Sequence, residues 1–287
     1  MSSKSQVMEL RQAFLPKLAK RLLPRLQYVL PEAVYGSLYA QAYRAYRAIL
    51  RILYFRHVIH YRMSGEQQKV GRAETVYRVM PYSLVGSSGL EATFDAALDV
   101  IQKKVPGCFV ECGVAQGGCS ALMGVVATRL NHARTMWLFD SFEGLPAPGQ
   151  ADYDSVHKST GDHISPLDRG SCLGAKEEVE NLLYEHFGLP RASVLLVKGW
   201  FQDTLPVYYR QLGNISLLRI DADWYESTKD CLEYLYDQVV PQGYVIVDDY
   251  GKCFGCKKAV DEFLHKRGLQ PQLVPDGRGG VLFVKAS

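Results

Sequence analysis

Apolar and polar positions follow two rhythms along this chain, and the change between them falls just after residue 104. From residue 32 to about 62, Tyr35, Tyr39, Tyr43, Tyr46, Leu50 and Leu53 recur at spacings of three and four, which places them on one face of a long helix opened by Pro31-Glu32. Before it, residues 5–30 read as basic helix broken at Pro16 and Pro24; after it, residues 63–75 are polar and read as a linker. Residues 88–104 predict a helix with Phe94, Leu98 and Ile101 on one side, stopped by Pro106-Gly107. Short apolar runs then alternate with helical stretches: strands at 108–114, 135–140, 193–197, 215–220 and 244–247, helices at 118–130, 175–187, 227–239 and 256–267. Residues 273–274 and 280–284 finish as a hairpin. This alternation means right-handed βαβ units around a mostly parallel sheet. Residues 142–174, rich in Gly, Pro, Asp, Ser and His, form an irregular insert of a length that is uncommon without a function, and we read it as a lid. The expected organisation is a helical extension over residues 1–75 and an α/β domain over residues 76–287.

Charge sharpens that division. Residues 1–62 carry 11 Lys and Arg against two acids, Glu9 and Glu32, so a basic arm of +9 is joined to a body of −6 within a net charge of +3. The aromatic stripe predicts packing on the main domain or on a second subunit, which favours a homo-oligomer; the alternative is peripheral membrane contact through residues 1–62, with aromatics inward and arginines at the headgroups. Nucleic acid is not expected, because no recognition motif accompanies the charge. No apolar stretch is long enough to span a bilayer. Seven cysteines, an odd number with several in apolar contexts, favour reduced thiols and a cytoplasmic setting. Cys253 and Cys256 have zinc-ligand spacing but no second pair, and are read as packing.

The candidate chemistry lies at the strand ends. The run 215–220 closes in Asp221-Ala222-Asp223, and the run 244–247 closes in Asp248-Asp249. Carboxylates gathered at one sheet edge repel one another unless a cation or protons lie among them, which points to a hard metal ion. The stretch Val110-Glu111-Cys112-Gly113-Val114-Ala115-Gln116-Gly117-Gly118-Cys119-Ser120 passes from strand through a glycine turn into a helix. Its spacing is neither that of a dinucleotide fingerprint nor that of a P-loop, and Glu111 would oppose a pyrophosphate. A cofactor with a positive centre and a small carboxylate, such as S-adenosylmethionine, suits it better. Asp140, at the second strand tip, is positioned to accept ribose hydroxyls.

These pieces resemble the macrocin O-methyltransferase, or TylF-like, family. The matching blocks are 106–118, 137–146, 198–206, 220–228, 243–251 and 255–263, in order across about residues 80–285. The resemblance implies a class I methyltransferase fold, Rossmann-like, with a seven-stranded, mostly parallel sheet flanked by helices and a last strand running antiparallel. It implies Mg2+ on Asp221, Asp248 and Asp249, with Asp223 as general base beside Asp221. The implied cofactor contacts are Tyr82, Glu111, Gly113, Gln116, Gly117, Ser120, Asp140, Ser141, Phe142, Gly199, Trp200, Phe201, Gln202 and Asp221, with Trp200 and Phe201 flanking adenine. Residues 1–70 carry none of these motifs, and His157 and His163 in the insert are rival bases. The expected function is a Mg2+-dependent O-methyltransferase using S-adenosylmethionine on a hydroxyl of a sugar or glycosylated small molecule. The alternatives are a catechol-type methyltransferase, a scaffold that keeps the fold without the activity, and a metal-dependent phosphatase, which would leave the glycine turn unexplained.

Overall fold

The computed structural model describes residues 32–130, 134–153 and 169–286. Two helices lead the chain, α1 (Glu32–Ser64) and α2 (Gln67–Val79), and a short 3-10 turn (Met80–Tyr82) connects them to α3 (Ser87–Gln102). The remainder alternates: β1 (Cys108–Cys112), α4 (Gly118–Arg129), β2 (Met136–Asp140), α5 (Lys176–Glu180), β3 (Val194–Lys198), α6 (Phe201–Leu212), β4 (Ile215–Ile220), α7 (Tyr225–Leu235), β5 (Val239–Val247), α8 (Phe254–Lys266), β6 (Val274–Pro275) and β7 (Val281–Val284). The strands form one seven-stranded sheet in the order β3-β2-β1-β4-β5-β7-β6. Strands β1 to β5 are mutually parallel, and β7 runs antiparallel to both of its neighbours. This is the expected class I architecture. Strand order reverses between β1 and β4, the place where an open α/β sheet leaves a crevice beyond its carboxyl ends.

Because alternate side chains leave a strand on opposite faces, the sheet has a core on each side. Phe109 packs with Leu90, Leu122 and Met123 under α3 and α4, whereas Val110 packs with Leu205, Leu218 and Leu232 under α6 and α7. Each such buried Leu or Phe contributes about 1.5–3 kcal/mol relative to exposure.

Three departures from the sequence pattern have local causes. The stretch 63–75, expected as a linker, is mostly helix: α2 begins at Gln67 and buries Ala73, Val76 and Val79 at helical spacing. The boundary expected at residue 75 therefore falls inside α2. Helix α6 was not foreshadowed, because Pro206 in its second turn reads as a breaker. Strand β5 starts at Val239 rather than Tyr244; its register against β4 is irregular between Ile215 and Leu217, which absorbs the turn-like Pro241-Gln242-Gly243.

The second half of α1 joins the body. Tyr54 and Val58 are buried, and the Tyr54 hydroxyl donates to Glu91 at 2.7 Å. Of the expected stripe, Leu50 and Leu53 are half-buried and Tyr46 is exposed, while the side chains of Tyr35, Tyr39 and Tyr43 and all of residues 5–30 lie outside the described residues. No helix among the described residues is long and apolar enough to cross a membrane.

Candidate functional site

The carboxyl ends of β1, β2, β3, β4 and β5 open into one cavity of about 680 Å³. On its floor, Gly113 follows β1 at φ +90°, and a Cβ there would lie 1.8 Å from the Asp221 carbonyl oxygen. Only glycine lets the first strand's turn and the acidic end of β4 meet backbone to backbone. Gly174, at the return of the insert, likewise sits against the turn, since a Cβ there would meet the Ala115 carbonyl oxygen at 1.9 Å.

Asp140 fastens the turn from the next strand. Its Oδ2 accepts the Val114 and Ala115 amides at 2.7 and 2.9 Å, and its Oδ1 accepts the Phe142 amide at 2.7 Å. Glu111 is buried; it accepts the Ser120 hydroxyl and lies 3.5 Å from Arg219. Burial pushes its carboxyl up to about 7, against the opposing pull of Arg219. Tyr82, Gln116, Ser141 and Gly199 line the cavity, as do Trp200, Phe201 and Gln202. Gly117, Ser120 and Phe142, expected beside them, do not reach its wall. Gly117 packs against Val179 and Leu182, Ser120 is engaged by Glu111, and Phe142 belongs to the core.

The acids from β4 and β5 form the opposite wall. Ligand oxygens of Asp221, Asp248 and Asp249 lie within 4.8 Å of one another. The sequence reading required cations or protons among them, and the protein supplies part of the answer itself. Arg219, fully buried near the carboxyl end of β4, donates to Asp248 at 2.7 Å and to Asp221 at 3.0 Å. Arg278, from the turn between β6 and β7, donates to Asp248 and to the Leu84 carbonyl oxygen. Burial alone would raise Asp248, but Arg219, Arg278 and Lys252 outweigh it and hold its carboxyl below the usual range. Asp249 has only the charge of Lys252 in its favour, and its Oδ2 is buried without a hydrogen-bond partner. Burial and the charges of Asp223, Asp221 and Asp248 push it well above the carboxylate range. Asp223 sits at φ +53°, and burial, then the charges of Asp221 and Asp248, raise it to about 7.

Three features of this site escaped the sequence reading. Arg219 has a signal, a lone charge inside a largely apolar central strand; Arg278 has none, because its partner is set by the hairpin's return. The third is Asp152 in the insert, whose Oδ1 accepts the first amide of α7, at Tyr225, at 2.6 Å. The insert is also clasped at its root, where Leu145 donates to the Ser171 carbonyl and Gly170 donates to the Leu145 carbonyl. His157 and His163, the rival bases, lie outside the described residues.

An unpartnered buried carboxylate oxygen between two other acids is what a hard cation fits, and Asp221, 24% exposed at its side chain, leaves an approach from the cavity. The residues present thus suit Mg2+, and the glycine turn suits the amino-acid end of S-adenosylmethionine.

Comparison with known proteins gives the same direction. The profile of the macrocin O-methyltransferase (TylF) family matches residues 19–285. Demethyldecarbamoylnovobiocin O-methyltransferase of Streptomyces niveus is 39% identical over 202 residues, covering 70% of this chain and 74% of the relative. The 8-demethyl-8-(2,3-dimethoxy-alpha-L-rhamnosyl)-tetracenomycin-C 4'-O-methyltransferase of Streptomyces olivaceus is 34% identical over 200 residues, covering 69% and 74%. Among solved structures, the O-methyltransferase NovP superposes with a TM-score of 0.61 at 36% identity, over 72% of this chain and 83% of its own. With that sheet, that crevice and that match, the chain belongs to the TylF macrocin O-methyltransferase family and is an S-adenosylmethionine-dependent O-methyltransferase.

Proposed function

We propose that this enzyme methylates a hydroxyl on the sugar of a glycosylated small molecule, with Mg2+ held by Asp221, Asp248 and Asp249. The observation that carries the metal assignment is the unpartnered Asp249 oxygen beside two further acids on the wall of the cofactor cavity. The acceptor class is supported by the relatives, whose names specify novobiocin and rhamnosyl-tetracenomycin derivatives. Mg2+ when bound supplies a Lewis acid that favours the alkoxide form of the acceptor. Asp223 takes the hydroxyl proton on the carboxylate side of the same wall, with a pKa near the working range of a general base. Trp200 and Phe201 hold adenine, Asp140 and the Gly113 turn hold the ribose and methionine portions, and Leu145, Pro146, Cys172 and Leu173 from the two ends of the insert shield the cavity. Holding both reactants in line contributes on the order of 7–11 kcal/mol.

Two further elements belong to this proposal. That none of the seven cysteines forms a disulfide supports a reducing, cytoplasmic setting. The row Ile49, Ile52, Ile59 and Met63 on α1 is exposed, and supports association of two copies of the chain. Peripheral membrane contact through residues 1–62 rests only on their charge.

The test is calorimetric titration of S-adenosylmethionine with and without Mg2+, followed by an acceptor screen that includes deoxysugar glycosides and catechols. Asp249→Asn is the informative variant, because Asp248 also holds two arginines and its loss would disturb more than the metal. Cofactor binding by both proteins, with Mg2+ binding and methyl transfer lost only in the variant, is the expected result. Methylation of glycosides without any divalent ion would overturn the metal assignment, and turnover of catechols alone would overturn the acceptor class.

A further inference from the structure

A second group of ligand atoms shares Asp249 with the first. Asp223, Asp249 and Cys253 each offer one atom within 4.8 Å of the others, and all three residues are buried. Cys253 is brought there by the chain's return after β5: its amide donates to the Asp249 carbonyl at 2.9 Å, and it caps α8. Its Sγ lies 3.7 Å from Asp223 Oδ1. The acidic end of β4 and the start of α8 therefore place a thiol and two carboxylates around one point. The sign that a cation belongs there is Asp249, 4% exposed, whose buried and unpartnered carboxylate oxygen is shared with the first group. Among the described residues no cationic side chain hydrogen-bonds to it or to Asp223; Arg219 and Arg278 both reach Asp248, and Lys252 acts on the two acids through its charge alone.

The donor set differs from that of the first group in kind. Asp221, Asp248 and Asp249 offer hard oxygens only, which suit Mg2+. A set of two carboxylates and one thiol discriminates against Mg2+ and favours a borderline ion that accepts sulfur, with Zn2+ and Co2+ as the common cases. Three protein ligands also leave a fourth position open, and Asp223 and Asp249 both line the cofactor cavity from which an ion would enter.

We propose that Asp223, Asp249 and Cys253 form a second cation site, selective for a thiophilic divalent ion, which shares Asp249 with the Mg2+ site. On binding, the Cys253 S–H bond is replaced by an S–metal bond and the proton leaves to solvent; no electron transfer is involved. Occupation takes the general base and one ligand of the first site at once. Zn2+ is therefore an inhibitor of this enzyme, competing with Mg2+ rather than substituting for it.

The test is cobalt spectroscopy on the metal-free full chain. Titration with Co2+ should produce a near-ultraviolet sulfur-to-cobalt charge-transfer band that is retained in Cys256→Ser and lost in Cys253→Ser. Zn2+ affinity by calorimetry should fall in Cys253→Ser by at least about 10–100-fold, the loss already seen when only an outer-shell partner is removed. Absence of the band from the wild type, or its survival in Cys253→Ser, would overturn the site. Should Cys253→Ser not fold, the wild type decides alone: the cobalt band must weaken competitively with added Mg2+, and indifference to Mg2+ would overturn the sharing of Asp249. The band itself depends neither on methyl transfer nor on Mg2+; only the competition arm rests on the Mg2+ assignment.

Discussion

At the scale of single residues, the site is an exercise in how buried charge is balanced. Arg219 is the centre of that balance: one guanidinium inside β4 neutralises acids delivered by β1, β4 and β5. Removing one partner from such a buried group strands the others, so Arg219→Ala is expected to lower stability by about 3–5 kcal/mol in urea unfolding. Asp249→Asn is expected to behave differently. Its acid is already pushed toward the neutral form, so the variant should stay within about 1 kcal/mol of wild type without metal, and lose the rise in melting temperature on adding Mg2+. Glu111 sets a pH dependence. Its folded value of about 7 lies above the ordinary 4.5, so the folded state holds more protons than the unfolded state between those values, and stability falls as pH rises through that window. Glu111→Gln is expected to remove on the order of 3 kcal/mol of that slope, read as melting temperatures in EDTA at pH 5 and pH 7.5. At this scale the sequence was legible where side-chain types crowd together, as in Asp221, Asp223, Asp248 and Asp249. It was silent where partners are far apart, as for Arg278, thirty residues from Asp248.

At the scale of elements, the strands could be read because a parallel strand buried on both faces is nearly continuously apolar, and in β1, buried at all five positions, only Glu111 breaks the run. Helix α2 and helix α6 could not, since polar Gln67, Gln68 and Lys69 open the one and Pro206 interrupts the other. What matters to the site is how these elements are tied together. Arg47 of α1 donates to the carbonyls of Met80, Pro81 and Ser83 and reaches Gln116 at 3.4 Å, so the extension holds the segment containing Tyr82 over the glycine turn. Arg47→Ala is expected to weaken S-adenosylmethionine binding roughly tenfold in calorimetry, the loss of a net interaction of about 1.4 kcal/mol. Asp152 performs the corresponding service for the insert by accepting the first amide of α7. Asp152→Ala is expected to cost about 1 kcal/mol in stability, as for other lost N-terminal helix partners, and to speed limited proteolysis within residues 142–174.

At the scale of the whole molecule, the reversal of strand order between β1 and β4 locates the crevice; the alternation of runs in the sequence implies a mostly parallel sheet, whereas the seven strands and the antiparallel last strand were what the family resemblance implied. The extension is where legibility ended: its helical spacing was plain, but which of its faces would meet the body was not. In the event Tyr54 and Val58 turn inward while Ile52 and Met63 face out. If two copies meet on that outer row, Ile52→Glu with Ile59→Glu is expected to halve the mass measured by light scattering, and an unchanged mass would refute the association. The clasp at Leu145, Gly170 and Ser171 has a wider consequence. It brings the two ends of the insert together independently of what lies between them. Lengthening a loop whose ends already meet costs little, about 0.6 kcal/mol for a doubling. Insertions or deletions between the clasped ends are therefore expected to cost the fold little, provided Asp152 keeps its hold on the first amide of α7.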